Sequence, residues 1–257
     1  MSNAVDQGHV NVSIESSGIA TVEFGHPLSN SLPGKILQKL ADSITELGGN
    51  DDVKVIILRS AGERAFCAGA SFDELISIKD LETGKVFFSG FANVINACRK
   101  CPKFIIGRVQ GKAVGGGVGV ASAVDYCFAT KYADVKLSEL AVGIGPFVVG
   151  PAVERKVGLS AMSQLAINAT EWRSARWAKD NGLYAEIFDN VEDMEERING
   201  LADTLSKSNP EAMSMLKTAF WQGTEHWDSL LKDRAAMSGE LVLSDFTVNA
   251  INAFKKK

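Results

Sequence analysis

Along residues 10–24, VNVSIESSGIATVEF, apolar and polar positions alternate on both sides of Ser16-Ser17-Gly18, the pattern of two strands joined by a glycine turn. The period then changes: Ile36, Leu37, Leu40, Ile44 and Leu47 recur at helical spacing and stop at Gly48-Gly49, which predicts an amphipathic helix with a glycine stop signal. VKVIILRSA (53–61) and KFIIGRVQGKAV (103–114) are apolar runs rich in β-branched residues, as expected of strands buried on both faces. Strands alternating with helices predict an α/β fold with parallel pairing through crossovers. Beyond about residue 190 the strand signals vanish, and VEDMEERINGLADTLSKS, PEAMSMLKTAFWQG and HWDSLLKDRAAMSGELVLSDFTVNAINAF read as successive helices. The chain therefore divides into a core over 1–200 and a helical part over 201–257.

Composition narrows the function classes. With 257 residues, 46% of them hydrophobic, the chain supports one large core. No window reaches the roughly 18 consecutive apolar residues of a membrane span, and MSNAVDQGHV lacks the basic and apolar regions of a signal peptide, so a cytoplasmic location is expected. A net charge of −4 argues against general nucleic-acid affinity. Four cysteines (Cys67, Cys98, Cys101, Cys127) are too few for a disulfide framework, and CRKC has no second pair or histidine partner for zinc; reduced, structural thiols are expected. His9, His26 and His226 show no paired spacing, and no metal is expected.

Chemistry enters at GKAVGGGVGVASAVDYCFAT (111–130). A dinucleotide fingerprint from Gly115 would need glycine where Val120 stands, and the Walker spacing is absent. What remains is a strand ending in glycine and running into a helix, where unpaired N–H groups are open to approach. ERAFCAGASFDEL (63–75) repeats the arrangement: Gly69 lies in a small-residue turn after a strand, and Ser71-Phe72-Asp73-Glu74 forms a capping box for a helix. Two such turns can aim two N–H groups at one developing oxyanion.

In order along the chain, NSLPGKILQKL, NDDVKVIILRSAGERAFCAGASF, VQGKAVGGGVGVASAVDYCFAT, ADVKLSELAVGIGPFVVGP and ARWAKDNGLYAEIF closely resemble the crotonase, or enoyl-CoA hydratase/isomerase, superfamily. The resemblance implies a crotonase-like α/β fold, a spiral of ββα turns that binds an acyl-CoA thioester, followed by a helical C-terminal part that builds homotrimers, often paired into hexamers. No separate cofactor is implied, because coenzyme A is part of the substrate. The two N–H donors fall at Ala70 and Gly116, with Gly69 and Gly115 beside them, and Phe66, Cys67 and Ala68 match the segment whose backbone receives the adenine. Family hydratases resemble one another in carrying two glutamates. The first position is Gly119 here, which in a hydratase for a bulkier substrate would make room for it, and the second is Glu139, with Ser138 in place of the usual proline. Isomerases of the family keep only the second. The resemblance therefore implies a shift of a double bond from 3-enoyl-CoA to 2-enoyl-CoA with Glu139 as proton shuttle. The alternatives are a hydratase for a branched or carboxylated enoyl-CoA and a non-catalytic acyl-CoA-binding protein.

Asp125 reads as a structural aspartate about two helical turns beyond Gly117, and Asp73 and Glu74 as capping residues that are second candidates for acid/base work. Tyr126 and Tyr184 read as packed side chains. Lys35, Arg64 and Lys255–Lys257 are candidate phosphate contacts. The apolar stripe Leu201, Leu205, Met213, Leu216, Phe220, Leu230 and Leu231 exceeds what a short appendage buries alone, which also predicts an oligomer.

Overall fold

The structure is a computed structural model and describes residues 7–255; of the segments weighed above, residues 1–6 and Lys256–Lys257 lie outside it. In chain order the elements are β1 (His9–Ile14), β2 (Ile19–Gly25), α1 (Gly34–Gly49), β3 (Val55–Ser60), α2 (Phe72–Leu75), α3 (Leu81–Lys100), β4 (Phe104–Val109), β5 (Ala113–Val114) and α4 (Gly116–Ala123). There follow β6 (Tyr126–Thr130), β7 (Val135–Lys136), α5 (Gly150–Ile167), α6 (Ala175–Asp180), β8 (Glu186–Phe188), α7 (Val191–Ser206), α8 (Pro210–Phe220), α9 (Trp227–Leu241) and α10 (Asp245–Lys255).

The hairpin β1–β2 is antiparallel, with Ile14 opposite Ala20, and every later pairing in the six-stranded sheet β1-β2-β3-β4-β6-β8 is parallel. The continuous apolar run of β3 has its reason in this sheet. Ile56 and Leu58 face the main core under α1, α3 and α4, whereas Val55 and Ile57 face Met194, Ile198 and Ala202 of α7 on the opposite side. Alternate residues of a strand point to opposite faces, so a sheet covered twice needs apolar residues at every position.

The expected single strand over 103–114 is broken. A side chain on Gly111 would collide with the Arg64 carbonyl, so the chain crosses beneath residues 64–65 there and leaves the main sheet. β5 then joins a second layer, whose rungs are Leu32 with Ala70, Cys67 with Ala113, β5 with β7, and Val135 with Arg173.

The division at residue 200 falls inside α7, which packs on the sheet, and Trp221, Trp227, Leu231 and Ala235 belong to the main core. The C-terminal helices are thus continuous with the core, because their apolar faces find cover within the chain. Leu201 and Leu205 pack against the α7 cluster, Leu230 against the main core, and Met213 and Leu231 are buried; Leu216 and Phe220 remain exposed, with Met215 beside them. Among the described residues no helix is long and apolar enough to cross a membrane.

Candidate active site

The second layer brings the two glycine turns together. Leu32 donates to the Gly69 carbonyl (2.8 Å) and accepts from the Ser71 N–H (3.3 Å), so the Ala70 N–H between them points away from Leu32 and meets no acceptor among the described residues. On the other side Val114 donates to the Cys67 carbonyl at 2.9 Å, fastening the second turn to the first. A Cβ placed on Gly69 would lie 3.7 Å from the Gly116 nitrogen, and the Gly116 N–H, at the first position of α4, also has no acceptor among the described residues. Two backbone donors without acceptors among the described residues therefore lie on neighbouring turns, an arrangement that suits an oxyanion. Asn30 steadies the approach to this layer: its amide donates to the Ala61 and Ala65 carbonyls at 2.8 and 2.9 Å, holding the segment after β3.

The glycines of the second turn have separate causes. Gly115 caps α4 at φ 52°, ψ −116°, a backbone region closed to other residues, and a Cβ there would lie 2.9 Å from Glu139 Oε1. Gly116 is bare because Phe91 packs over it; any side chain would strike the ring.

Glu139 opens a 3₁₀ turn (Glu139–Val142) that ends at Gly143, whose open face is filled by Phe246 and Thr247 of α10. The residue as a whole keeps some exposure, but its Oε2 is buried without a hydrogen-bond partner among the described residues, and the carboxyl end is the part that titrates. Burial therefore pushes the Glu139 carboxyl up from its ordinary 4.5 to about 7, opposed weakly by its own backbone N–H.

Ala68, Gly69, Ala70, Gly115, Gly116 and Glu139 line one cavity of about 180 Å³. Its walls are apolar: Phe72, Phe87, Phe88, Phe91 and Phe147 with Leu75, Val142, Ile144 and Val149; among the described residues its polar side chains are limited to Ser138, Glu139 and Ser238. Sequence reasoning missed this wall: Phe87, Phe88 and Phe91 share one face region of α3 at helical spacing, but Phe72 and Phe147 come from distant segments, and no local pattern joins the three segments. Ser238 belongs to α9, so the helical C-terminal part contributes to the site itself.

Three of the expected site residues stand elsewhere. Phe66 is buried edge-on against Phe24 (ring centroids 5.5 Å apart) and Cys67 is buried, so only the backbone of that segment can meet a ligand. Gly119 does not line the cavity and offers no extra acyl space. Its face is closed by Val149, whose Cγ1 would lie 2.5 Å from an added Cβ.

Asp125 is structural, although it lies beyond the end of α4 rather than within a helix. It accepts from the Ile105 N–H at 2.8 Å and the Trp221 indole at 3.2 Å, and pairs with the buried Lys217 ammonium at 2.8 Å. Ser71 caps the Glu74 N–H, but the Glu74 carboxylate reaches the Gly34 N–H (2.8 Å) instead of completing the box, and neither Asp73 nor Glu74 lines the cavity. Tyr184 is buried with its hydroxyl on the Ala133 carbonyl, whereas Tyr126 is exposed. All four cysteines are buried and unpaired, and burial pushes the Cys67, Cys98 and Cys127 thiols up to about 12, far from reactive thiolates. Among the described residues no His, Cys, Asp and Glu side chains gather into a group that could hold a metal ion.

The family profile for enoyl-CoA hydratase/isomerase matches residues 14–252. A probable enoyl-CoA hydratase from Bacillus subtilis is 28% identical over 241 residues, 93% of each chain. The peroxisomal Delta(3,5)-Delta(2,4)-dienoyl-CoA isomerase of Arabidopsis thaliana is 25% identical over 87% of this chain and 84% of its own. The mitochondrial methylglutaconyl-CoA hydratase of Mus musculus is 30% identical over 82% of this chain and 68% of its own. Among solved structures, an enoyl-CoA hydratase from Bacillus halodurans superposes with a TM-score of 0.87 at 19% identity over 95% of this chain and 99% of that one.

Proposed function

The chain belongs to the enoyl-CoA hydratase/isomerase family, and from that premise we propose that it moves the double bond of a 3-enoyl-CoA into conjugation with the thioester. The carrying observation is that among the described residues Glu139 is the only carboxylate on the cavity wall, while Gly119, the position of a second one, is walled off by Val149.

The thioester oxygen sits between the Ala70 and Gly116 N–H groups, which stabilise the negative charge that develops when the C2 proton leaves; each such donor is typically worth roughly 2.7–4 kcal/mol in the transition state. Glu139 takes that proton. The electron pair delocalises through the C3–C4 double bond to give a dienolate, and Glu139 returns the proton to C4, leaving the double bond between C2 and C3. A carboxyl with its pKa near 7 suits both halves, since it accepts and gives a proton at neutral pH with little bias. The apolar wall keeps water from the dienolate.

Hydration is the second reading, favoured by relatives that are named hydratases. Adding water needs one group to activate it and another to supply the α-proton, and one carboxylate does this poorly. A carboxylated acyl group is disfavoured further, because among the described residues the lining holds no Lys or Arg to pair with it. Coenzyme A would run along the Phe66–Ala68 backbone, and the exposed Met215, Leu216 and Phe220 would be covered in a cytoplasmic trimer or hexamer; a monomer by light scattering at low micromolar concentration contradicts the last point.

One 3-enoyl-CoA and one 2-enoyl-CoA, followed by the absorbance of the conjugated thioester, test the reading. A rise with the first substrate and little loss with the second is expected. Rapid loss with the second alone makes the protein a hydratase, and no change with either makes it a binder.

A further inference from the structure

We propose that Phe87 sets the acyl-chain limit of this site: its ring is the partition between the 180 Å³ cavity and a groove of about 770 Å³ between α1 and α3. The proposal rests on the reading that the cavity receives the acyl group of a CoA thioester. Among the described residues Phe87 alone lines both spaces. An apolar cavity of about 150 Å³ accommodates one benzene, so the space beside Glu139 matches a chain of about six carbons. Beyond the ring, Ile78 and Val86 give the groove an apolar strip for a longer alkyl tail, beside polar side chains that include Lys35, Glu74, Glu82 and Asn93.

The ring is held from several sides. Three residues before it, Gly84 lies against Gly239 of α9 so closely that a Cβ would fall 2.9 Å from the Gly239 Cα; three residues after it, Gly90 meets Leu37 of α1 at 2.7 Å in the same sense. These contacts pin α3 one turn on either side of Phe87, so the helix cannot shift to let a tail through. The ring itself stands edge-on to Phe88, with centroids 5.0 Å apart and planes at 88°, and is 8% exposed.

Calorimetric titration with saturated butanoyl-, hexanoyl-, octanoyl- and decanoyl-CoA tests the proposal without needing turnover. Each methylene that finds apolar cover adds roughly 0.8 kcal/mol, about fourfold in affinity. For the native protein the gain should stop near hexanoyl-CoA. For Phe87→Ala it should continue into the groove, raising the decanoyl-to-hexanoyl affinity ratio by at least about tenfold. Phe87→Leu, which keeps more of the packing, should move the ratio the same way by less. Phe88→Ala enlarges the cavity without opening it to the groove and should raise the decanoyl-to-hexanoyl ratio by clearly less than Phe87→Ala. Native protein that binds decanoyl-CoA much more tightly than hexanoyl-CoA overturns the proposal, as do folded Phe87 variants that still bind butanoyl-CoA but keep the native chain-length profile. Failure of all four thioesters to bind the native protein is a different result: it overturns the acyl-CoA reading and the proposal with it.

Discussion

Replacing Glu139 by glutamine keeps the shape of the side chain and removes its ability to carry charge, and the buried Oε2 gives activity and stability opposite expectations. Loss of a positioned acid/base group typically costs about 10²–10⁴-fold in rate, so isomerisation of a 3-enoyl-CoA should fall at least about 10²-fold while a saturated thioester still binds. For stability, the sign follows from the direction of the shift. The folded carboxyl titrates near 7 and the unfolded one near 4.5, so the folded state holds its proton more tightly. Below pH 4.5 the residue is protonated in both states and carries no penalty. As pH rises from 4.5 to 7 the unfolded chain ionises first, and stability is lost over that window, up to about 3 kcal/mol above pH 7.

Glutamine has no such dependence. Its amide carries its own desolvation cost, so the quantity to read is the change with pH and not the absolute offset: relative to the native protein, Glu139→Gln should gain up to about 3 kcal/mol between pH 4.5 and pH 8, equivalent to roughly 6–12 °C in Tm for a chain of this size. Denaturant melts of both proteins at four or five pH values measure it. Parallel stability curves would refute the buried-carboxyl argument, and native-like isomerisation by the variant would refute the mechanism.

The same carboxyl predicts that kcat/KM for isomerisation rises with pH and levels off above an apparent pKa near 7, because only the ionised form accepts the C2 proton; a profile flat from pH 5 to 8 contradicts this. Gly116→Pro removes one of the two N–H donors and also presses its ring on Phe91, so it should lower kcat by at least roughly 10²–10³-fold in a protein that remains folded by circular dichroism; near-native turnover would rule this turn out. Gly119→Ala should destabilise by about 1–3 kcal/mol through its clash with Val149. In the double variant with Val149→Ala the combined cost should be smaller than the sum of the two single costs, and simple additivity in denaturant melts would show that the two residues do not compete for the same space.

The fold was legible in the sequence wherever one periodicity dictated one element. The hairpin at Gly18, α1 ending at Gly49 and the doubly buried β3 follow from alternation and spacing alone. The break at Gly111 was not legible, since its cause is the Arg64 carbonyl, a contact between segments 47 residues apart (111 − 64) that no local pattern encodes. In the site, the two turns were legible because backbone donors demand glycine nearby, and Glu139 because its flanking residues match a family pattern.

Gly119 separates what such a pattern encodes from what it leaves out. The absent glutamate is visible in the sequence, but whether its absence makes room or merely accommodates a neighbour depends on residue 149, thirty positions away, and the structure answers that Val149 fills the space. A glutamate restored at 119 alone would therefore have to displace Val149 before it could face Glu139. On the proposed isomerase reading, converting this site toward hydration is thus a problem of at least two residues, because the packing at Val149 as well as the residue at 119 keeps a second carboxylate out.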